Sequence, residues 1–491
     1  MRIKKILRLA PALLLVAMFG LFPAESKAET VSDLSFALRK PYKKQNEGNP
    51  LYTQRFGADP GVMEYNGRLY VYMTDDRLEL DKDKKIKENT YSTIRTINCI
   101  SSDDLVNWTD HGRIRVAGST GIAKWAGNSW APCAAHKTVD GKEKFFLYFC
   151  NGGNGIGVLC ADSPTGPWRD ELRKPLIDRT VKNCANVPWL FDPAVMVDED
   201  GTGYLAFGGG VPAGKQAAPG TARIVRLGED MISLDGDPVQ VDAPWLFEDS
   251  GINRIGDTYV YSYCSNWQTA GNSLRLTDGA IQYMTADNPL GPYTYRGELF
   301  PNEGRFFGLY GNNHHSIACL NGEYYLFYHS RPVEKAMKIS GNYRSPQIDK
   351  ITVNADGSLK QVKGTMKGVE QLRPLDPYET VSACTVSHQA GNSIRGEDGN
   401  TFFQTAEGSW TRVSGVDFGE GARQLTVQAS SEEGCMLYVT LGDIEQPIAA
   451  RIEIPAGNEA ASFTVPLVAA GIQDIYFVFD GVAMFYTWQA Q

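Results

Sequence analysis

Four ionisable side chains stand at almost the same distance ahead of an aromatic-rich segment. Asp59 precedes Tyr70 by 11 residues, Asp192 precedes Tyr204 by 12, Glu248 precedes Tyr259 by 11 and His314 precedes Tyr325 by 11. A fifth unit carries Ala135 in that place, 11 before Phe146. A single acid at a strand entrance is an ordinary turn residue; acids in phase in three of five units suggest a shared purpose. If the units fold alike around one axis, three carboxyl groups and an imidazole, far apart in sequence, meet in one hollow. Hydrolysis of a glycosidic bond needs such a set: a proton donor for the leaving oxygen, and a carboxylate for water or the anomeric carbon. An inverting enzyme keeps its two carboxyl groups roughly 6.5–9.5 Å apart, leaving room for water. A third acid nearby raises the donor's pKa, because like charges disfavour ionisation. The residues alone leave open which acid does what.

The elements that must position these groups are short strands. Asn66-Gly67 leads into RLYVYMT, Asp140-Gly141 into KEKFFLYFC, Asp200-Gly201 into YLAFGG, Gly256-Asp257 into YVYSYC and Asn321-Gly322 into YYLFYHS. Such turn dipeptides between apolar runs signal hairpins. Further elements repeat: ADSPTGPW (161–168) echoes ADNPLGPY (286–293), with SSDDLVNW (101–108) a looser relative. Long amphipathic helices are nearly absent. Five units of several strands each read as a five-bladed β-propeller, in which the innermost strands line the axis. The glycine cluster GGNGIG (152–157) lies between strands, without the helix a nucleotide loop requires, and reads as a turn.

Beyond Pro374 and Pro377 the pattern changes to short alternating strands: QLTVQAS (424–430), CMLYVTLG (435–442), ARIEIPA (450–456), ASFTVPL (461–467) and DIYFVFDG (474–481). This spacing predicts a β-sandwich. The fold class expected is therefore all-β. Residues 29–375 form the propeller and residues 376–491 a sandwich of jelly-roll type.

The first 28 residues read as a removable secretory leader. Arg2, Lys4, Lys5 and Arg8 precede the apolar run Leu9–Leu21, and Ser26-Lys27-Ala28 ends in a small residue. Removing this segment takes away five basic residues and one acid and moves the formal net charge from −9 to −13. An acidic surface disfavours nucleic acid and anionic membrane as partners and suits a neutral polysaccharide. The expected product is extracellular and monomeric. Nine cysteines occur singly with no CxxC pair, which disfavours zinc-ribbon and thioredoxin chemistry; most read as small core residues.

The stretches ADPGVMEYNGRLYVY (58–72), WAPCAAHK (130–137), FDPAVMVDEDGTGYLAFGG (191–209), FEDSGINRIGDTYVYSY (247–263) and GNNHHSIACLNGEYYLFYHSR (311–331) together resemble glycoside hydrolase family 43, a family of five-bladed, inverting arabinofuranosidases, xylosidases and arabinanases. The resemblance implies Asp59 as the general base, Glu248 as the general acid and Asp192 as the modulator of the acid's pKa. Asp249 is a rival to Glu248, ranked lower because strand alternation sends it to the opposite face. His314 matches an axial histidine that borders a calcium ion at the propeller centre. A hard cation prefers oxygen ligands, so a water-mediated or structural role is favoured over direct ligation. His315 is the rival of that pair and is counted with the substrate-binding residues. Arg331 resembles an arginine that approaches the catalytic carboxylates and substrate hydroxyls. Trp130, Phe191 and Phe247 are expected on the pocket wall.

The segments GSWTRVSGVDFGEGARQLTVQASS (408–431) and DIYFVFDGVAMFYTWQAQ (474–491) resemble a family 6 carbohydrate-binding module. The chain departs from that pattern at Ser382-Ala383-Cys384, where an acidic pair is usual, and lacks an asparagine near the last strand. The expected function is removal of α-L-arabinofuranosyl groups from arabinoxylan. A β-xylosidase or arabinanase of the same family is the alternative, and a non-catalytic sugar-binding propeller the reading from another class.

Overall fold

In the computed structural model, residues 28–397 and 399–491 are described. The leader expected over 1–28 therefore lies, apart from Ala28, outside the described residues. The structure is all-β, as expected, with two α-helices of four and six residues among the described residues.

Five antiparallel sheets occupy the first 351 residues. The first contains Ala58–Tyr65, Arg68–Thr74, Thr96–Ser102 and Trp108–Arg115; the second Trp130–Val139, Lys142–Cys150 and Ile156–Ala161. The third contains Ala194–Val197, Gly203–Phe207, Ala222–Arg226 and Val239–Val241; the fourth Leu246–Ile255, Thr258–Ser265, Ile281–Ala286 and Thr294–Phe300. The fifth contains His315–Leu320, Glu323–Ser330 and Ser345–Ile351. The leading hairpins turn where the sequence predicts. At Asn66-Gly67, Asp140-Gly141 and Asn321-Gly322 both residues have positive φ, the two-residue turn whose twist matches the flanking strands.

Each sheet's first strand packs against the first strand of the next, and His315–Leu320 packs against Ala58–Tyr65. The apolar clusters follow the same order. Phe145 and Leu147 of the second sheet meet Tyr72 and Ile97 of the first. Leu205 and Phe207 meet Tyr148 and Val158, Tyr261 meets Ile224, and Leu326 and Tyr328 meet Val260 and Ile281. Phe327 and Ile348 of the fifth sheet return to Leu69 and Val71 of the first. Phe327 is fully buried in that last seam, and its replacement by Ala would cost about 3–5 kcal/mol.

A second body folds as two sheets. One runs in the order Ser393–Glu397, Asn400–Gln404, Met484–Ala490, Ala422–Ser431, Gly457–Ala469, and the other His388–Ala390, Trp410–Asp417, Ile472–Phe479, Cys435–Leu441, Ala450–Ile454. Their facing side chains, among them Leu425, Val427, Phe477, Phe485 and Trp488, make one core. Two segments tie this body to the first five sheets. Thr385–Val386 pairs with Thr109 and Trp108 and adds a fifth strand to the first sheet. Val31, Leu34, Phe36 and Leu38, near the start of the described chain, pack with Trp410, Tyr476 and Val478 of the sandwich. All nine cysteines are free, and seven are buried.

Candidate active site

The entries of four of the five inner strands carry a distortion that aims the acids. Asp59, Ala131, Asp192 and Asp249 all have positive φ, between 39° and 64°, a conformation unfavourable for residues with a Cβ. In the first, second and fourth sheets the ladder register shifts at this residue, as a β-bulge produces. The strand registers correct two sequence expectations. Ala135 does not stand in the place of Asp59; it pairs with Phe146 farther down its strand, while Ala131, ahead of Pro132 as Asp59 is ahead of Pro60, takes that place. In the fourth sheet the backbone counterpart of Asp59 and Asp192 is Asp249, and Glu248 is the residue before it. Glu248 therefore shares its position with Trp130 and Phe191, and all three side chains face the hollow.

That hollow is a pocket of about 450 Å³ lined by Asp59, Thr74, Tyr91, Trp130, Phe191, Asp192, Glu248, Glu303, Tyr310, Asn312, His314, Arg331, Asn342 and Arg344, among others. Three acids and one histidine from four different sheets are thus brought together. His314 Nδ1 lies 3.8 Å from Asp59 Oδ1 and 3.9 Å from Asp192 Oδ2, which puts those two carboxylates within twice that distance of one another.

The three acids have different environments. Asp59 is buried, which alone would raise its pKa. Arg344, His314 and the Thr74 hydroxyl reverse that and hold it at about 2. Arg344 Nη1 donates to Asp59 Oδ1 across 2.8 Å and Thr74 Oγ1 to Oδ2 across 2.7 Å. The Asp59 N–H donates to His329 Nδ1 at 3.0 Å while His329 Nε2 donates to the Asn312 carbonyl at 2.8 Å. That pair of bonds fixes a neutral tautomer, and burial pushes the His329 pKa down to about 3. Asp192 is raised to about 7, first by burial and then by Asp59 and Asp249, against the pull of His314. Glu248 is raised well above its ordinary value by burial and by Asp192, Asp249 and Asp59, and its Oε1 has no hydrogen-bond partner among the described residues. The set therefore holds one firmly ionised carboxylate and one carboxyl that keeps its proton. Those are the two states required of a base and an acid.

Trp130 and Phe191 line the pocket as expected. Phe247 does not: with Glu248 turned inward, its neighbour turns away and packs edge-to-face on Trp189 at 5.2 Å. His315 is likewise absent from the lining. It is buried beneath the acids, with Nδ1 against Asp249 Oδ2 and Nε2 2.7 Å from Ser262 Oγ. Arg331 lines the pocket but does not touch an acid of the trio. It bonds Asn342 Oδ1 and the Tyr310 carbonyl on the rim. The arginine at the carboxylates is Arg344, which also grips Asp76 with two nitrogens at 2.8 and 2.9 Å and lies over the Tyr91 ring. Sequence reasoning missed Arg344, Glu303, Asn312 and Tyr310. Tyr310, 64% exposed on the rim, stands in a loop whose only sequence signal is its place just before GNNHH.

His314 was expected beside a calcium ion. Both its ring nitrogens face carboxylate oxygens, Nε2 lying 3.2 Å from Asp249 Oδ1, and these acids raise its pKa against the effect of burial. Both nitrogens are taken up by carboxylate oxygens, so direct ligation does not fit. Below it lies an axial cavity of about 40 Å³, whose lining includes Ser250, Asn253 and Ser316 but no carboxylate. Those neutral oxygens suit at most an ion that keeps water around it.

Residues 47–359 match the family described as glycosyl hydrolases family 43, and residues 379–489 match the carbohydrate binding module (family 6). An arabinoxylan arabinofuranohydrolase of Paenibacillus polymyxa is 42% identical over 469 residues, 91% of this chain and 74% of that one. An arabinoxylan arabinofuranohydrolase of Bacillus subtilis (strain 168) is 42% identical over 464 residues, 89% of this chain and 90% of its own. The crystal structure of a glycoside hydrolase family 43 arabinoxylan arabinofuranohydrolase from Bacillus subtilis, in complex with cellotetraose, superposes with a TM-score of 0.89 at 41% identity, covering 92% of this chain and 99% of that one. Motifs, geometry and relatives agree, and the chain belongs to glycosyl hydrolases family 43.

Proposed function

We propose that this protein is a secreted, inverting α-L-arabinofuranosidase that removes terminal arabinofuranosyl groups from arabinoxylan. One observation carries the reading. Asp59 and Glu248 face the same pocket in opposite protonation states, with Asp192 between them in proton affinity. Glu248 protonates the leaving oxygen. Asp59 draws the proton from a water that attacks the anomeric carbon from the other face of the sugar. Asp192 keeps the proton on Glu248 through its proximity, and Arg344 keeps Asp59 ionised. The cyclic packing of the five inner strands supports a closed five-bladed propeller as the frame. Division into residues 29–375 and 376–491 belongs to the same reading, as does action as an exported monomer.

The arabinoxylan arabinofuranohydrolases similar to this chain support arabinoxylan as the polymer, with the second body holding carbohydrate. A calcium ion enters only as a water-separated structural guest of the axial cavity, with no part in the proton transfers. The test is product analysis on wheat arabinoxylan, sugar-beet arabinan and aryl glycosides, with anomeric NMR of the first-formed sugar. Arabinose released from arabinoxylan with inverted configuration is expected. Xylose as the main product, or retained configuration, overturns the proposal.

A further inference from the structure

The protein is acidic overall, yet five arginines converge on one groove of about 590 Å³ at the seam between the two bodies. Arg77 and Arg95 come from the loops beside the second and third strands of the first sheet, Arg113 and Arg115 from its fourth strand, and Arg395 from the sandwich strand Ser393–Glu397. Among the described residues the one carboxylate in the lining, Glu397, is paired with Arg115. Asp75 lies behind and is engaged by Arg113 at 2.7 Å and Arg77 at 3.6 Å. Arg95 and Arg395 bond neutral oxygens among the described residues, the Gly127 carbonyl and Gln404 Oε1. Their guanidinium forks keep donors and charge for an anion. Thr93, Thr96 and Thr120 add hydroxyls to the same walls.

The groove also shares a wall with the catalytic pocket. Within residues 91–96, Tyr91 and Ile94 face the pocket while Thr93, Arg95 and Thr96 face the groove. The pocket and the groove therefore adjoin across one short segment of chain. We propose that the groove binds a carboxylate-bearing sugar, a uronic acid carried on the same polysaccharide chain that the pocket trims. Arginine forks match carboxylates in a bidentate manner, and the hydroxyls suit the rest of the sugar. The proposal rests on the polysaccharide reading above for the identity of the polymer, and on the arginines alone for the charge.

The experiment compares the full-length protein with an R95A/R395A variant, both changes lying on exposed side chains outside the pocket. Three substrates are used: glucuronoarabinoxylan, the same polymer with its carboxyl groups reduced to alcohols, and an aryl arabinofuranoside. Wild type should show a KM about fivefold lower on the native polymer than on the reduced one at low salt, and lose that preference as salt rises. The variant should treat both polymers alike, with turnover of the aryl glycoside unchanged. Equal KM for the two polymers in wild type, or an unaltered preference in the variant, overturns the inference. So does competition by inorganic phosphate in the absence of any preference for the native polymer, which would mark a site for small anions only. Affinity electrophoresis in glucuronoxylan gels reads binding without catalysis. If no substrate is hydrolysed but the variant alone loses retardation, the groove stands and the enzymatic reading falls.

Discussion

The backbone N–H of Asp249 donates to Asp192 Oδ2 across 3.0 Å. The strand that presents Glu248 is thus fastened, one residue later, to the acid of the neighbouring sheet. Charge and position at the proposed acid are controlled through one carboxylate.

Replacing Asp192 should separate the two. D192N keeps an acceptor for the Asp249 N–H but removes a negative charge that raises Glu248. The proton on Glu248 is then lost at lower pH. The alkaline limb of kcat/KM should move down by about one pH unit, with kcat reduced about 10²-fold. D192A, which also frees the strand, should lose more. An unmoved alkaline limb in D192N would show that Asp192 does not tune the acid.

For the unaltered protein the signs of the shifts fix the shape of the profile. Under the proposed roles, activity requires Asp59 ionised and Glu248 protonated. Asp59, held at about 2, stays ionised throughout mild acid; Asp192 ionises as pH passes about 7, and Glu248, raised well above its ordinary value, is the last to lose its proton. A plateau in mild acid with a decline above neutrality is expected. A profile that rises from pH 5 to 8 would contradict the assignment of base and acid.

Glu248→Gln removes the transferable proton and leaves the shape. Hydrolysis of arabinoxylan should fall by about 10³-fold or more. Dinitrophenyl arabinofuranoside, whose leaving group needs no proton, should lose far less. Equal losses on the two substrates would show that Glu248 does not serve as the acid.

Arg344 and Arg331 should behave differently, although both line the pocket. R344M strips the partner from two buried carboxylates, Asp59 and Asp76, and should cost about 3–5 kcal/mol of stability. It should also raise the pKa of Asp59, so that an acid limb appears in the activity profile. R331A loosens the Tyr310 rim and should raise KM with little change in melting temperature. The two are checked by thermal unfolding and by steady-state kinetics.

Chelation offers a further check. Because no carboxylate lines the axial cavity and both nitrogens of His314 face acids, EDTA should leave kcat unchanged. A tenfold loss of turnover, restored by calcium, would place a metal in the reaction.

Much of this arrangement was legible before the structure. The turn dipeptides and aromatic strands define the hairpins. Asp59 and Asp192 are marked by the proline that follows each. Glu248 carries the right number for an inexact reason: Tyr259 stands one place nearer its turn than Tyr70 does, so a count of 11 reaches Glu248 while the backbone counterpart of Asp59 is Asp249. The same offset of one puts Phe247 on the wrong face, whereas Ala131 is hidden behind Ala135 because the second sheet's leading hairpin is two residues longer on each strand than the first's. Arg344 carries no local signature. It reaches Asp59 across 285 residues of chain, and only the packing of the fifth sheet against the first makes them neighbours.

The pairing of Thr385–Val386 with Thr109 and Trp108 has a practical consequence. Those two residues shield the outer margin of the first sheet, where unsatisfied amides and carbonyls would otherwise invite another chain. A catalytic fragment ending at residue 375 would retain every acid of the pocket and still lose this shield. Trimming the protein to its hydrolytic part should yield a sticky, self-associating product, and a usable shortened enzyme would have to extend past Val386.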